Sequence, residues 1–160
     1  MISLKPINND NLFEVIKLSK TLDIDQQKRV ADNIVSIAQA YVHYDTAWPR
    51  AIYEGETLVG FVMLNLKDED IPKEDQPAYF LWRFMIAKPY QNLGYGKKVI
   101  EILIQKSIAE GQRYLYVSCE MDDKMPYAFY IKMGFIDTHE VFDGEEVLKL
   151  KLDELKPHQT

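Results

Sequence analysis

A short run between a strand and a helix limits what this chain can become. Met85-Ile86-Ala87-Lys88-Pro89-Tyr90-Gln91-Asn92-Leu93-Gly94-Tyr95-Gly96-Lys97-Lys98 follows a strand expected over Tyr79 to Ile86 and opens a helix. Gln91, Gly94 and Gly96 form Q-x-x-G-x-G, and the glycines let backbone come close to a bound group. Successive N–H groups at a helix start make an anion cradle, which the helix dipole reinforces. Lys97 and Lys98 add positive charge at the same end. Strand, exposed N–H loop and helix together suit a pyrophosphate.

Two familiar phosphate loops do not fit. A P-loop needs G-x-x-x-x-G-K-[ST], whereas no Ser or Thr follows Lys97. A dinucleotide fold needs G-x-G-x-x-G early in a βαβ unit, but Val99 stands at the third glycine position and the run lies past mid-chain.

At 160 residues and 47% hydrophobic, the chain is expected to form one domain over 1–155 with a short tail at 156–160. A net charge of −6 argues against nucleic acid or an anionic membrane as partner and is compatible with a cationic substrate. One cysteine, Cys119, precludes an intramolecular disulfide. No apolar run reaches transmembrane length and MISLKPINND lacks a signal-peptide pattern, so a cytoplasmic protein is expected.

Hydrophobic periodicity orders the elements. Ile2 to Ile7 reads as a strand, and Asp10 caps a helix carrying Leu12, Val15, Ile16 and Ser19. A second helix starts near Asp25 and is broken or continued near Asp32-Asn33, before Pro49 closes the region. Ala51 to Glu54 and Thr57 to Leu66 form a hairpin around Gly55-Glu56. Lys67 to Pro77, charged and with two prolines, reads as a solvated loop. Tyr79 to Ile86, apolar on both faces, is a central strand. The next helix buries Val99, Ile100, Leu103 and Ile104 and stops at Gly111. Arg113 to Cys119 is parallel to the preceding strand, Met125 to Lys132 is a short helix, and the last two strands meet at Asp143-Gly144. The order β-α-α-β-β-β-α-β-α-β-β predicts an α/β fold with a mixed seven-stranded sheet flanked by helices.

This order, with Q-x-x-G-x-G after the fourth strand and Phe129-Tyr130-x-x-x-Gly134-Phe135 after the fifth, resembles the GCN5-related N-acetyltransferases (GNAT) over nearly the whole chain. Ser36 to Tyr41, Trp48 to Tyr53, Val59 to Leu64 and Leu81 to Ile86 are similar to the bacterial spermine/spermidine acetyltransferase branch. The resemblance implies acetyl-CoA as cosubstrate and no metal. It implies pyrophosphate contacts from the backbone of Asn92, Leu93, Gly94, Tyr95, Gly96 and Lys97, with Gln91 shaping the loop. Backbone at Phe84, Met85 and Ile86 would pair with the pantetheine arm, and the Ile86 region would polarise the thioester carbonyl.

The implied reaction is direct attack of an amine on acetyl-CoA. An alkylamine titrates near ~10.4, so freeing it at pH 7 costs about 4.6 kcal/mol and needs a proton acceptor. The departing thiolate needs a proton, and by similarity Tyr130 supplies it. Many polyamine acetyltransferases of the family carry a glutamate on the fourth strand, where this chain has Trp82 and Arg83. Glu120 is the substitute base, with Asp122 behind it, and Ser118 a holder of water. The asparagine often found seven residues before the tyrosine is Asp123 here. Asp32, Asn33, Tyr41, Trp82, Glu120 and Asp122 are candidate ligands of a cationic acceptor, through carboxylates and aromatic faces. A protein N-terminus, an aminoglycoside, or an acyl-CoA sensor without turnover are the rival readings, and a homodimer is compatible with the fold. His43, His139 and His158 lack metal-ligand spacing. Cys119 reads as a buried strand residue.

Overall fold

The computed structural model describes residues 1–120 and 126–155. The elements are β1 (Ile2–Lys5), α1 (Leu12–Leu18), α2 (Ile24–Arg29), α3 (Asn33–Val42), β2 (Ala47–Glu54), β3 (Thr57–Asn65), β4 (Ala78–Ile86), α4 (Tyr95–Ala109), β5 (Tyr114–Cys119), α5 (Tyr127–Lys132), β6 (Ile136–Phe142) and β7 (Glu145–Lys151). The strands form one mixed seven-stranded sheet in the order β1-β2-β3-β4-β5-β7-β6, with β4 and β5 parallel. Helices flank it, as the sequence pattern predicts.

The structure departs from the expected elements where a short polar side chain or a proline decides the matter. Three helices, not two, lie between β1 and β2. Asp23 caps α2 by accepting from the Gln26 N–H at 2.9 Å while the Gln26 side chain reaches back to the Asp23 N–H, a reciprocal capping box. Val30 and Asp32 then turn to extended backbone, so α3 starts afresh at Asn33. Asn11, not Asp10, precedes α1. β2 begins at Ala47 and runs through Pro49. β1 pairs only with Ala51 to Glu54, so at Pro49 β2 has β3 on one side alone, where a residue without an N–H is tolerated.

Two compact units emerge. The first holds residues 1–65 and 82–99. Its core gathers Val15, Leu18 and Leu22 with Ala40, Ala51, Phe61, Met63, Met85 and Ala87. Gly60 on β3 permits a close approach there: a Cβ would overlap the Met85 carbonyl oxygen. The second holds residues 66–81 and 100–160. In it β4 pairs with β5 from Ala78↔Tyr114 to Leu81↔Val117, and β5 pairs with β7 along its whole length. Four of the nine β4 residues are thus in the β5 ladder, and Trp82 to Ile86 belong to the first unit.

The loop from Lys67 to Pro77 is anchored, contrary to the solvated loop its charges suggest. Asp75 is buried, accepts from the Tyr116 hydroxyl, and pairs with Lys149 Nζ at 2.8 Å. Burial raises the Asp75 carboxyl, but the Lys149 and Tyr116 hydrogen bonds prevail and hold it below the ordinary carboxylate value.

Candidate active site

In the first unit, the glycine run is shaped by side-chain amides. After β4 a 3-10 turn spans Lys88–Tyr90 and Gln91 returns to extended backbone. Asn92 and Gly94 take positive φ, 61° and 82°, the left-handed conformation glycine adopts without cost. The Gly94 carbonyl accepts from Lys98 N–H, so α4 starts from the glycine. The first N–H groups of such a helix have no acceptor within it, which leaves those of Tyr95 and Gly96 directed outward at the positive end of the dipole. Asn92, Leu93 and Gly94 are exposed and Lys97 and Lys98 stand beside them on the surface.

Gln91 does the shaping. Its Nε2 donates to the Ile86 carbonyl at 2.8 Å, tying the loop to the end of β4. The same amide exchanges hydrogen bonds with Gln26 of α2, at 3.1 Å and 3.3 Å. Lys88 reinforces the link: its N–H meets Thr21 Oγ1 at 3.1 Å and its ammonium meets Asp23 at 3.3 Å. Asp23 is held below its ordinary value by the Gln26 N–H first. Gln26 lies far from the loop in sequence, so only the capping-box pattern D-x-x-Q hinted at it.

Candidate acceptor residues in this unit stand at different places along α3, Asp32 before its first turn and Trp82 against His43 after its last. Asp32 is exposed at the start of α3. Trp82 is half-buried on β4, with His43 edge-on at 5.9 Å and the Arg83 guanidinium 5.6 Å from its ring. Arg83 Nη2 in turn donates to Gln39 at 3.2 Å. Asn33 is an internal tie and Tyr41 a surface residue. Asn33 is fully buried, its N–H held by Ser19 Oγ at 2.8 Å and its amide donating to the Val15 carbonyl at 2.8 Å. It fastens α3 to α1. Tyr41 stands 83% exposed in the last turn of α3, about 13 Å along the helix from Asp32.

In the second unit, α5 buries Tyr130 at 5% exposure, its ring packed against Phe129 and Phe135 with centroids 5.3 and 5.5 Å away. Gly134, at φ 99°, turns the chain so that Phe135 N–H bonds the Tyr130 carbonyl at 3.1 Å. Burial first, then Cys119 and Glu145, push the phenol above its ordinary value, so it keeps its proton at neutral pH. Among the described residues no side chain accepts from its hydroxyl.

Glu120 is exposed just past β5. Asp122, Asp123 and His158 lie outside the described residues. Ser118 is engaged: its hydroxyl donates to Glu145 at 2.6 Å. Glu145 opens β7 right after the Asp143-Gly144 turn, and that hairpin was the sequence signal that could have found it. Tyr127 donates to Asp137 at 2.9 Å, which raises its phenol. Cys119 is buried, as expected of a strand residue. Among the described residues no group of three or more His, Cys, Asp or Glu could hold a metal ion, and no helix is long and apolar enough to cross a membrane.

The family model described as "Acetyltransferase (GNAT) family" matches residues 14–135, a span that takes in the glycine loop, Tyr130 and Gly134-Phe135. This chain belongs to that family. It is an acetyl-CoA-dependent N-acetyltransferase. The GNAT chain is 30% identical over 155 residues to a protein of Bacillus subtilis subsp. natto (strain BEST195) described as a probable spermine N(1)-acetyltransferase, covering 94% of this chain and 99% of that one. It is 29% identical, with the same coverage, to the spermine/spermidine N(1)-acetyltransferase of Bacillus subtilis (strain 168). Among solved structures it shares the fold of the PaiA N-acetyltransferase from Thermoplasma acidophilum in complex with coenzyme A, with a TM-score of 0.66 at 14% identity over 94% of this chain and 99% of that one.

Proposed function

We propose that this GNAT enzyme acetylates a primary amine of a small cationic acceptor, a polyamine or diamine first, by direct attack on acetyl-CoA with Tyr130 as general acid. The amine nitrogen bonds the thioester carbonyl carbon, the C–S bond breaks, and the Tyr130 proton passes to the departing sulfur. The observation that carries this reading is the placement of Tyr130, buried on α5 against Phe129 and Phe135 within the span the family model matches. A phenol, protonated at neutral pH, has a proton to give to a leaving thiolate.

The loop from Gln91 to Lys97 holds the pyrophosphate through backbone N–H groups. The strand end at Phe84, Met85 and Ile86 lies along the pantetheine arm. Gln91 fixes that end through the Ile86 carbonyl. Asp32 and Trp82 supply a carboxylate and an aromatic face to the acceptor, and Glu120 takes the amine proton. Two relatives described as acting on spermine or spermidine, similar across 94% of the chain, support the polyamine choice.

Free-thiol release from acetyl-CoA over spermidine, spermine, putrescine, aminoglycosides and short peptides tests the reading. Release that depends on a polyamine is expected. Release with a peptide or aminoglycoside alone reassigns the acceptor, and silence across the panel with acetyl-CoA binding intact places the acceptor outside these classes.

A further inference from the structure

The end of β5 carries a hydrogen-bonded pair that neither the glycine loop nor Tyr130 accounts for. Side chains alternate along a strand, so Tyr114, Tyr116 and Ser118 share one face of β5, and Leu115, Val117 and Cys119 the other. Ser118 pairs with Val147 of β7, which places Glu145, two residues before Val147, on the Ser118 face. There the Ser118 hydroxyl donates to Glu145 at 2.6 Å, the length of a charge-assisted bond to a carboxylate. β5 and β7 are already joined from Tyr114↔Lys151 to Cys119↔Glu146, so the ladder does not depend on this bond.

Three features set the pair apart from an ordinary surface contact. Both side chains are half-buried. Lys149, on the same face of β7, is committed to Asp75 at 2.8 Å, and among the described residues no Lys or Arg pairs with Glu145. A hydroxyl has one hydrogen and two lone pairs. With that hydrogen spent on Glu145, Ser118 Oγ is left as an acceptor, and among the described residues no group donates to it. The Tyr130 phenol is pushed up by Cys119 on one face of β5 and by Glu145 on the other, so the candidate acid and the pair stand at the same end of the strand.

We propose that Ser118 is a catalytic residue, accepting an N–H of the attacking amine, and that Glu145 is the positioning residue that turns the hydroxyl to this task. The inference rests on the direct attack proposed above and deepens it. A neutral amine attacks through its lone pair while its N–H bonds point away, so an acceptor on that side aims the lone pair at the thioester carbonyl carbon. As the C–N bond forms, positive charge grows on nitrogen and its N–H groups become stronger donors. An oxygen polarised by a carboxylate then holds the transition state more tightly than the ground state, and only that difference accelerates the step. The nitrogen proton passes to Glu120, the C–S bond breaks, and Tyr130 protonates the departing sulfur.

Thiol release at saturating acetyl-CoA and spermidine tests the inference, with Ser118→Val set against Ser118→Thr. The two side chains are alike in shape and both suit a strand, and only threonine keeps the hydroxyl. Ser118→Val is expected to lower kcat by about 10- to 100-fold with the KM for acetyl-CoA unchanged, and Ser118→Thr to restore the rate. Glu145→Ala should lower kcat in the wild-type chain but slow the Ser118→Val chain no further, because it acts through the hydroxyl. Its effect on the wild-type chain decides the question if Ser118→Val fails to fold. A tie that only fastened β7 to β5 would lower the urea midpoints and leave kcat alone. Equal kcat in the valine and threonine chains, or Glu145→Ala slowing both backgrounds alike, would overturn the inference. Tyr130→Phe, run alongside, separates this failure from that of the proposed function. A slowed Tyr130→Phe with a full-rate Ser118→Val overturns the inference alone, whereas a full-rate Tyr130→Phe, or a wild type silent towards spermidine, removes the reading on which it rests and the inference with it.

Discussion

Tyr130 keeps its proton because the charged phenolate would lie buried. Burial dominates, and Cys119 and Glu145 push the same way, so the phenol remains protonated through the ordinary tyrosine range near ~10. Two expectations follow at this scale. Tyr130→Phe should lower kcat on the order of 10²-fold while acetyl-CoA still binds, as isothermal titration would show. The wild-type rate should rise with pH as the acceptor amine loses its proton, with no falling limb below about pH 9.5. A falling limb near neutrality in the pH–rate profile would assign the acid to another group. Gly60 is a residue-scale matter too. Gly60→Ala places a methyl on the Met85 carbonyl oxygen, so β4 must shift, at a cost of about 1–3 kcal/mol in urea unfolding. The same shift displaces the neighbouring Ile86, and the KM for acetyl-CoA should rise with it.

Elements show where the sequence is readable and where it is not. The strand count and the hairpins followed from period-two runs ended by Gly55 and by Asp143-Gly144. The helix that follows the glycines followed from Q-x-x-G-x-G. The division of the second helix was not legible, because a single capping residue, Asp23, and two extended residues decide it against a continuing apolar period. Nor was the role of Asp75, one acid among many between Lys67 and Pro77, since its partners Tyr116 and Lys149 are strand residues distant in sequence. Asp75→Asn should cost about 2 kcal/mol, by leaving Lys149 and Tyr116 without the carboxylate. The folded-state carboxyl is depressed, so its contribution is present above the unfolded value near ~3.9 and fades as pH falls. The gap between wild type and variant should therefore narrow in acid, as urea melts below about pH 4 would show. Near the site, the turn at Gly94 and the helix start after it were legible from Q-x-x-G-x-G, whereas Tyr130 entered through the family resemblance. Gln26, Glu145 and the burial of Asn33 were not, because each is defined by a partner that folding supplies.

The whole molecule carries a net charge of −6, a field that would attract the proposed cationic acceptor before it meets any side chain. Raising ionic strength from about 0.01 to 0.15 M shortens the Debye length from about 30 to 8 Å. The kcat/KM for spermidine should fall accordingly, while the affinity for acetyl-CoA should not weaken in parallel with it. A steady-state titration in salt separates the two. The amide bridge between Gln91 and Gln26 has a consequence for the timing of events over the entire catalytic cycle. The glycine loop and the start of α2 are tied together by that amide exchange, so under the proposed function acetyl-CoA seated on the loop also bears on α2. The turnover should then be sequential and ordered, acetyl-CoA entering first and coenzyme A leaving last. Product inhibition would display that order: coenzyme A competitive against acetyl-CoA, and noncompetitive against the amine.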